Sequence, residues 1–177
     1  KQIFVRAAAF AAVLILLFPL LSGTAAAQVP EKVPVLSAKS AVLLDASTGR
    51  VLYASHAEDK SLIASTTKIM TALLAIENAN LDDQVTISGN ADASSFPADA
   101  QVCGLAKGEV WTLRDLLGAL LLYSGNDAAT AIAEYVGGSE EAFVNMMNRR
   151  AQELMANGTH FMNPHGLHDD NHYTTAY

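Results

Sequence analysis

An α/β fold of the α+β kind is what the sequence predicts, on three observations. The chain has 177 residues, 51% hydrophobic and 16% charged, which suits one domain with a packed core and excludes intrinsic disorder. Two short β-prone runs flank a turn near residue 47, and from residue 65 onward apolar residues recur at helical spacing. The only cysteine, Cys103, leaves no intramolecular disulfide framework, so stability must come from packing.

The N-terminus reads as a targeting segment. Lys1 and Arg6 precede an apolar stretch from Ala7 to Leu21, and Gly23-Thr24-Ala25-Ala26-Ala27 follows, the order of a secretory signal peptide. The apolar run is broken by Pro19 and is short for a membrane span, which needs about 20 residues. The expected organisation is a signal peptide over 1–27, a linker over 28–39 containing Pro30 and Pro34, and an incomplete folded domain over 40–177. The chain starts with Lys and stops at Tyr177 without a helix stop or turn, which reads as a piece of a longer protein. The 11 Lys and Arg against 18 Asp and Glu give a net charge of −7 with no basic run. That excludes nucleic acid as a partner and gives no attraction to an anionic lipid surface.

Each element has its own signals. Ser40–Leu44 and Arg50–Ala54, joined by Asp45-Ala46-Ser47-Thr48-Gly49, read as a β-hairpin. Ile69, Met70, Leu73, Leu74 and Ile76 define a largely buried helix between Ser65 and Asn78. A short strand over Gln84–Ser88 leads into a long loop from Gly89 to Gly108, a length that is often functional. Thr112 caps a helix that ends near Tyr123-Ser124-Gly125-Asn126, and a second helix runs from Asp127 to Val136, stopped by Gly137-Gly138. Ser139 caps a third, with Phe143, Met146, Met147, Leu154 and Met155 inward and Asn157-Gly158 as its stop.

Two short patterns carry chemistry. In Ser65-Thr66-Thr67-Lys68 a spacing of three at a helix start puts hydroxyl and amine on one face, with Cβ atoms about 5–6 Å apart. A serine hydroxyl is a weak nucleophile that needs a base beside it, and lysine serves only when its amine is neutral. Lowering a lysine pKa of about 10.4 by about 3 units takes roughly 4 kcal/mol of differential environment, from burial and neighbouring positive potential. The helix N-terminus offers that potential, together with N–H groups for an oxyanion. Alone, the pattern is equally a helix cap. A Ser-x-Asn triplet occurs twice, as Ser88-Gly89-Asn90 and Ser124-Gly125-Asn126. The first follows a strand into a surface loop and reads as turn chemistry; the second is an elbow between two apolar helices expected to bury and fix Ser124.

Ile63-Ala64-Ser65-Thr66-Thr67-Lys68-Ile69-Met70-Thr71-Ala72 and Leu121-Leu122-Tyr123-Ser124-Gly125-Asn126-Asp127-Ala128-Ala129 resemble the first two active-site motifs of the D-alanyl-D-alanine carboxypeptidases, low-molecular-mass penicillin-binding proteins. The resemblance runs from Ser40 to Tyr177 and includes Gly104–Glu109 and Asn163-Pro164-His165-Gly166-Leu167. It implies the β-lactamase and penicillin-binding-protein-like transpeptidase fold, a helical cluster against an antiparallel sheet. It also implies acylation of Ser65 by a peptidoglycan stem pentapeptide, Lys68 as base, Ser124 as proton relay and Asn126 holding the substrate amide. β-Lactams would be covalent inhibitors, no cofactor or metal is required, and the place of work is the bacterial envelope. Gly125 stands where the superfamily pattern has Asp, and Lys-Thr-Gly is absent. The resemblance puts that third motif on a later strand past Tyr177, so this stretch alone is expected to be inactive. A D,D-endopeptidase shares every motif present, and a β-lactamase would need a deacylating carboxylate that no Glu here supplies. A non-catalytic cell-wall-binding module is disfavoured by the retention of Ser65, Lys68, Ser124 and Asn126.

His160, His165, His168 and His172 fall close together, but their spacing matches no rigid ligand pair and Gly158, Pro164 and Gly166 mark a loop, so loop polarity is the expected role. Cys103 is expected to be a small buried hydrophobe, and Trp111 and Phe143 are expected in the core.

Overall fold

The computed structural model describes residues 35–177. The expected signal peptide and residues 28–34 of the expected linker lie outside the described residues. The expected hairpin forms: β1 (Ala41–Leu44) pairs antiparallel with β2 (Val51–Ser55), Ala41 opposite Ser55. Its turn is built on Asp45, where one carboxylate oxygen accepts from the N–H and hydroxyl groups of Ser47 and Thr48.

Helix α1 (Thr67–Asn78) is entered through a 3₁₀ turn over Ala64–Thr66, so Ser65 sits in the turn and Lys68 in the helix. The buried face of α1 is Thr67, Lys68, Thr71, Ala72, Leu74 and Ala75. This corrects the expected apolar face: Ile69 and Ile76 are exposed. They stand seven residues apart on the opposite side, while small and polar residues face inward, where backbone approaches closely.

Strand β4 (Gln84–Thr86) is shorter than expected and pairs antiparallel with β5 (Val110–Thr112), a strand the sequence reading missed. Helix α2 (Leu113–Leu122) is capped as expected, the Thr112 hydroxyl accepting from the Asp115 N–H. Helix α3 (Asn126–Gly137) ends on Gly138 at φ 76°, a left-handed cap that glycine adopts without strain. Ser139 caps α4 (Glu140–Glu153) through the Ala142 N–H. That helix stops before Asn157-Gly158, and Leu154 and Met155 are exposed rather than inward, because Met155 already turns left-handed at φ 60°.

The core lies between α1, α2, α3 and β4, with Leu113, Leu116, Leu120 and Ile132 fully buried beside Val85 and Ile87. A second cluster joins Phe143 and Met147 of α4 to Ile63, Leu74 and Phe161. Each such side chain stabilises by about 1.5–3 kcal/mol on burial. Phe143 is core as expected, whereas Trp111 is half-buried and donates its indole N–H to Glu109.

The last residues return to the start of α1. Strand β6 (Tyr173–Thr174) pairs antiparallel with β3 (Ser61–Leu62), which runs directly into the turn that carries Ser65. The expected mixed class holds, and every strand pair is antiparallel; among the described residues the strands form three two-stranded sheets. No described helix is long and apolar enough to cross a membrane.

Candidate active site

Ser65, Lys68, Ser124 and Asn126, predicted from two separate motifs, come together in space. Lys68 is 3% exposed, and its Nζ donates to Asn126 Oδ1 at 2.7 Å and to the His165 carbonyl at 2.7 Å, and lies 3.3 Å from Ser65 Oγ. Ser124 donates its hydroxyl to Ser65 Oγ at 3.0 Å. Ser65 itself is exposed, so the group beside the buried amine is open to a ligand.

The two carbonyl-type acceptors decide what a neutral Lys68 does. They hold the amine 3.3 Å from Ser65 Oγ, so that a neutral amine donating to both acceptors can turn its lone pair to Ser65. Burial pushes the Lys68 pKa down to about 8 from its ordinary 10.5, with the Asp127 and Cys103 charges acting in the opposite sense. Of the two expected causes, burial supplies the shift, while the charged neighbours oppose it, and a useful fraction of amine exists near neutral pH.

Backbone strain marks the same spot. Ala64, just before the serine, has φ 49°, and Ser124 has φ 62°, left-handed conformations that cost a non-glycine residue roughly 1–2 kcal/mol. Ser124 is only half-buried, not enclosed as expected; what fixes it is the elbow, where Gly125 N–H donates to Ala119 O and Asn126 N–H to Gln101 O. Gly125 has no room for a side chain: an added Cβ would lie 2.4 Å from Cys103 Sγ. The departure from Asp at this position thus has a steric reason in this chain.

The histidine loop is part of this architecture, which corrects its reading as mere loop polarity. Three successive inward groups of α1 bond to it: Thr67 Oγ1 to His172 Nε2 at 2.7 Å, Lys68 to His165 O, and Thr71 Oγ1 to Pro164 O at 2.6 Å. Met162 N–H donates to His172 Nδ1, so Nε2 carries the proton and donates to Thr67. His165 stacks edge-on against Phe96, and burial, with the Lys68 charge next, lowers its pKa to about 4. His172 is lowered too, mainly by burial. Gly166 (φ 85°) closes the loop on the Ala64 carbonyl, which a Cβ would meet at 2.0 Å. The other two histidines are peripheral, His160 on Asn171 O and His168 beside Asp170. Among the described residues no group of three His, Cys, Asp or Glu could hold a metal. The missed contributors had one signal in sequence: Thr67, Lys68 and Thr71 are polar groups on a helix face that must find partners when buried.

Cys103 is half-buried, its S–H against Ala119 O, and burial raises its thiol pKa to about 11. The second triplet, Ser88-Gly89-Asn90, makes only turn and surface bonds.

A buried lysine beside an exposed serine, with a second serine and an asparagine closing the group, makes a Ser-x-x-Lys constellation on a penicillin-binding-protein fold. The crystal structure of penicillin binding protein 6B from Escherichia coli superposes with a TM-score of 0.77 at 35% identity, over 82% of this chain and 48% of that one. The profile of the D-alanyl-D-alanine carboxypeptidase family matches residues 25–177, and the chain belongs to that family. Among curated relatives, D-alanyl-D-alanine carboxypeptidase DacF of Bacillus subtilis is 41% identical over 79% of this chain and 36% of its own length, and DacD of Escherichia coli is 37% identical over 90% and 44%. The chain therefore spans less than half the length of the relatives it matches.

Proposed function

We propose that the full-length protein is a serine-type D-Ala-D-Ala carboxypeptidase that removes the terminal D-alanine from peptidoglycan stem pentapeptides. The observation that carries this is the placement of the Lys68 amine, held by two acceptors within 3.3 Å of Ser65 Oγ. Ser65 Oγ attacks the penultimate D-alanine carbonyl while its proton passes to Lys68. Ser124, bonded to Ser65, relays a proton to the amine of the departing D-alanine. Asn126 orients Lys68 through Oδ1 and offers its amide N–H groups to the substrate. Water then attacks the ester and releases the shortened peptide and free Ser65. A β-lactam amide acylates the same oxygen. The charged N-terminus and the apolar run after it support export, and the bacterial relatives support work on the cell wall, in the envelope.

The test is covalent labelling of the full-length protein by a fluorescent penicillin. Ser65→Ala should abolish the label, and the acylation rate should fall about tenfold per pH unit below a midpoint near 8, as Lys68 becomes protonated. Labelling that survives Ser65→Ala would sink the assignment, and rapid turnover of the label or cleavage of cross-linked peptide in preference to pentapeptide would reassign the reaction to a β-lactamase or an endopeptidase.

A further inference from the structure

We propose that Asp127 is a positioning residue of this site: its buried carboxylate fastens the loop at Cys103–Leu105 to the first turn of α3 and so fixes Ser124 and Asn126 against Lys68. The inference rests on the roles proposed above for Ser65, Lys68, Ser124 and Asn126.

Asp127 is fully buried. Its Oδ2 accepts from the N–H groups of Cys103 at 2.8 Å, Gly104 at 2.9 Å and Leu105 at 3.1 Å, and its Oδ1 from Cys103 at 3.0 Å and Ala128 at 2.9 Å. A carboxylate taken out of water is tolerated only when its lone pairs are filled, and here the donors are backbone amides in charge-assisted bonds. The start of α3 adds the favourable end of a helix dipole. Among the described residues no basic side chain forms an ion pair with it. The adjacent Asn126 N–H donates to Gln101 O at 2.8 Å, so the loop is stitched to both residues that follow Gly125. Nothing in the packing is slack, since a Cβ on Gly125 would also meet Asp127 Oδ1 at 2.8 Å.

The charge adds a signature that a purely structural clamp lacks. Asp127 is the main group holding Lys68 in its ammonium form against burial; Cys103 acts in the same sense, and His165 is the third titratable group that interacts with the amine. Removing the charge should let the Lys68 pKa fall further.

The experiment compares the full-length protein with Asp127→Asn. Acylation by fluorescent penicillin should slow at least tenfold on the alkaline plateau, the acid limb of the pH profile should move to lower pH, and iodoacetamide should alkylate Cys103, followed by peptide mapping, at least tenfold faster as its loop is released. A wild-type rate, or an unmoved limb, overturns the inference. Ser65→Ala run alongside tests the underlying site separately, because retained labelling there condemns the nucleophile and says nothing against the clamp. If Asp127→Asn does not fold, hydrogen exchange on the unaltered protein decides: amides of Cys103, Gly104 and Leu105 should exchange as slowly as those of α3, and exchange at the rate of a free loop overturns the proposal.

Discussion

The chain carries Ser-Gly-Asn twice, and the two copies share only their letters. At Ser88-Gly89-Asn90 the serine hydroxyl accepts from the N–H groups of Asn90 and Ala91, and the Asn90 amide reaches Glu134 on the surface. The serine is spent on its own backbone. At Ser124-Gly125-Asn126 the backbone is held left-handed at the serine, the hydroxyl is directed at Ser65, and the asparagine, 4% exposed, grips Lys68. A Cβ on Gly89 would find its nearest neighbour at 3.8 Å, whereas one on Gly125 meets sulfur at 2.4 Å. The difference lies in what surrounds each triplet: a strand end and solvent in one case, two packed helices and a clamped loop in the other.

The sharpest way to break the comparison is to delete each hydroxyl. Ser124→Ala should slow D-alanine release by the full-length protein about 100-fold or more, the scale of a lost proton relay, and Ser88→Ala should leave it within about twofold. Equal effects in a steady-state release assay would show that the environments do not separate the triplets. Methyl insertion probes the packing instead. Gly125→Ala should cost about 1–3 kcal/mol by overpacking and lower acylation more than tenfold, while Gly89→Ala should stay within about 0.5 kcal/mol, both measured by denaturant unfolding. The smallest effect concerns pH. His165 and His172 are held below their unfolded values, so the unfolded chain binds more protons between about pH 4 and 6.5, and stability is complete above that window and lost as pH falls through it. Melting temperature followed from pH 8 to pH 4 should drop less steeply in His165→Gln; an unchanged slope would show that the buried ring does not contribute.

The helix starts at Thr112 and Ser139, the hairpin and the four motif residues were legible because each is a local signal: a cap, a turn, a spacing of three. The short strands β3, β5 and β6 were not, since two or three residues carry no period and the β3 partner lies more than a hundred positions away. Ile69, Ile76, Leu154 and Met155 misled for a related reason: apolarity predicts burial on average, but α1 turns its polar side inward because the Pro164–Gly166 backbone needs donors there. The roles of Asp127 and His172 are not legible in sequence because they are made by contacts with residues far away along the chain. The apolar flanks of the second triplet helped to distinguish it from the first, but they overstated its enclosure.

The bonds around Lys68 have a consequence for assembly. Its two close acceptors lie 58 and 97 positions downstream, and the Thr67 partner lies 105 positions downstream. A chain made from its N-terminus therefore carries the serine and its amine neighbour long before the groups that orient them exist. Until residue 172 has been added, the contacts that bury Lys68 and orient it beside Ser65 cannot be completed. The candidate site is thereby a property of the finished tertiary structure, assembled late.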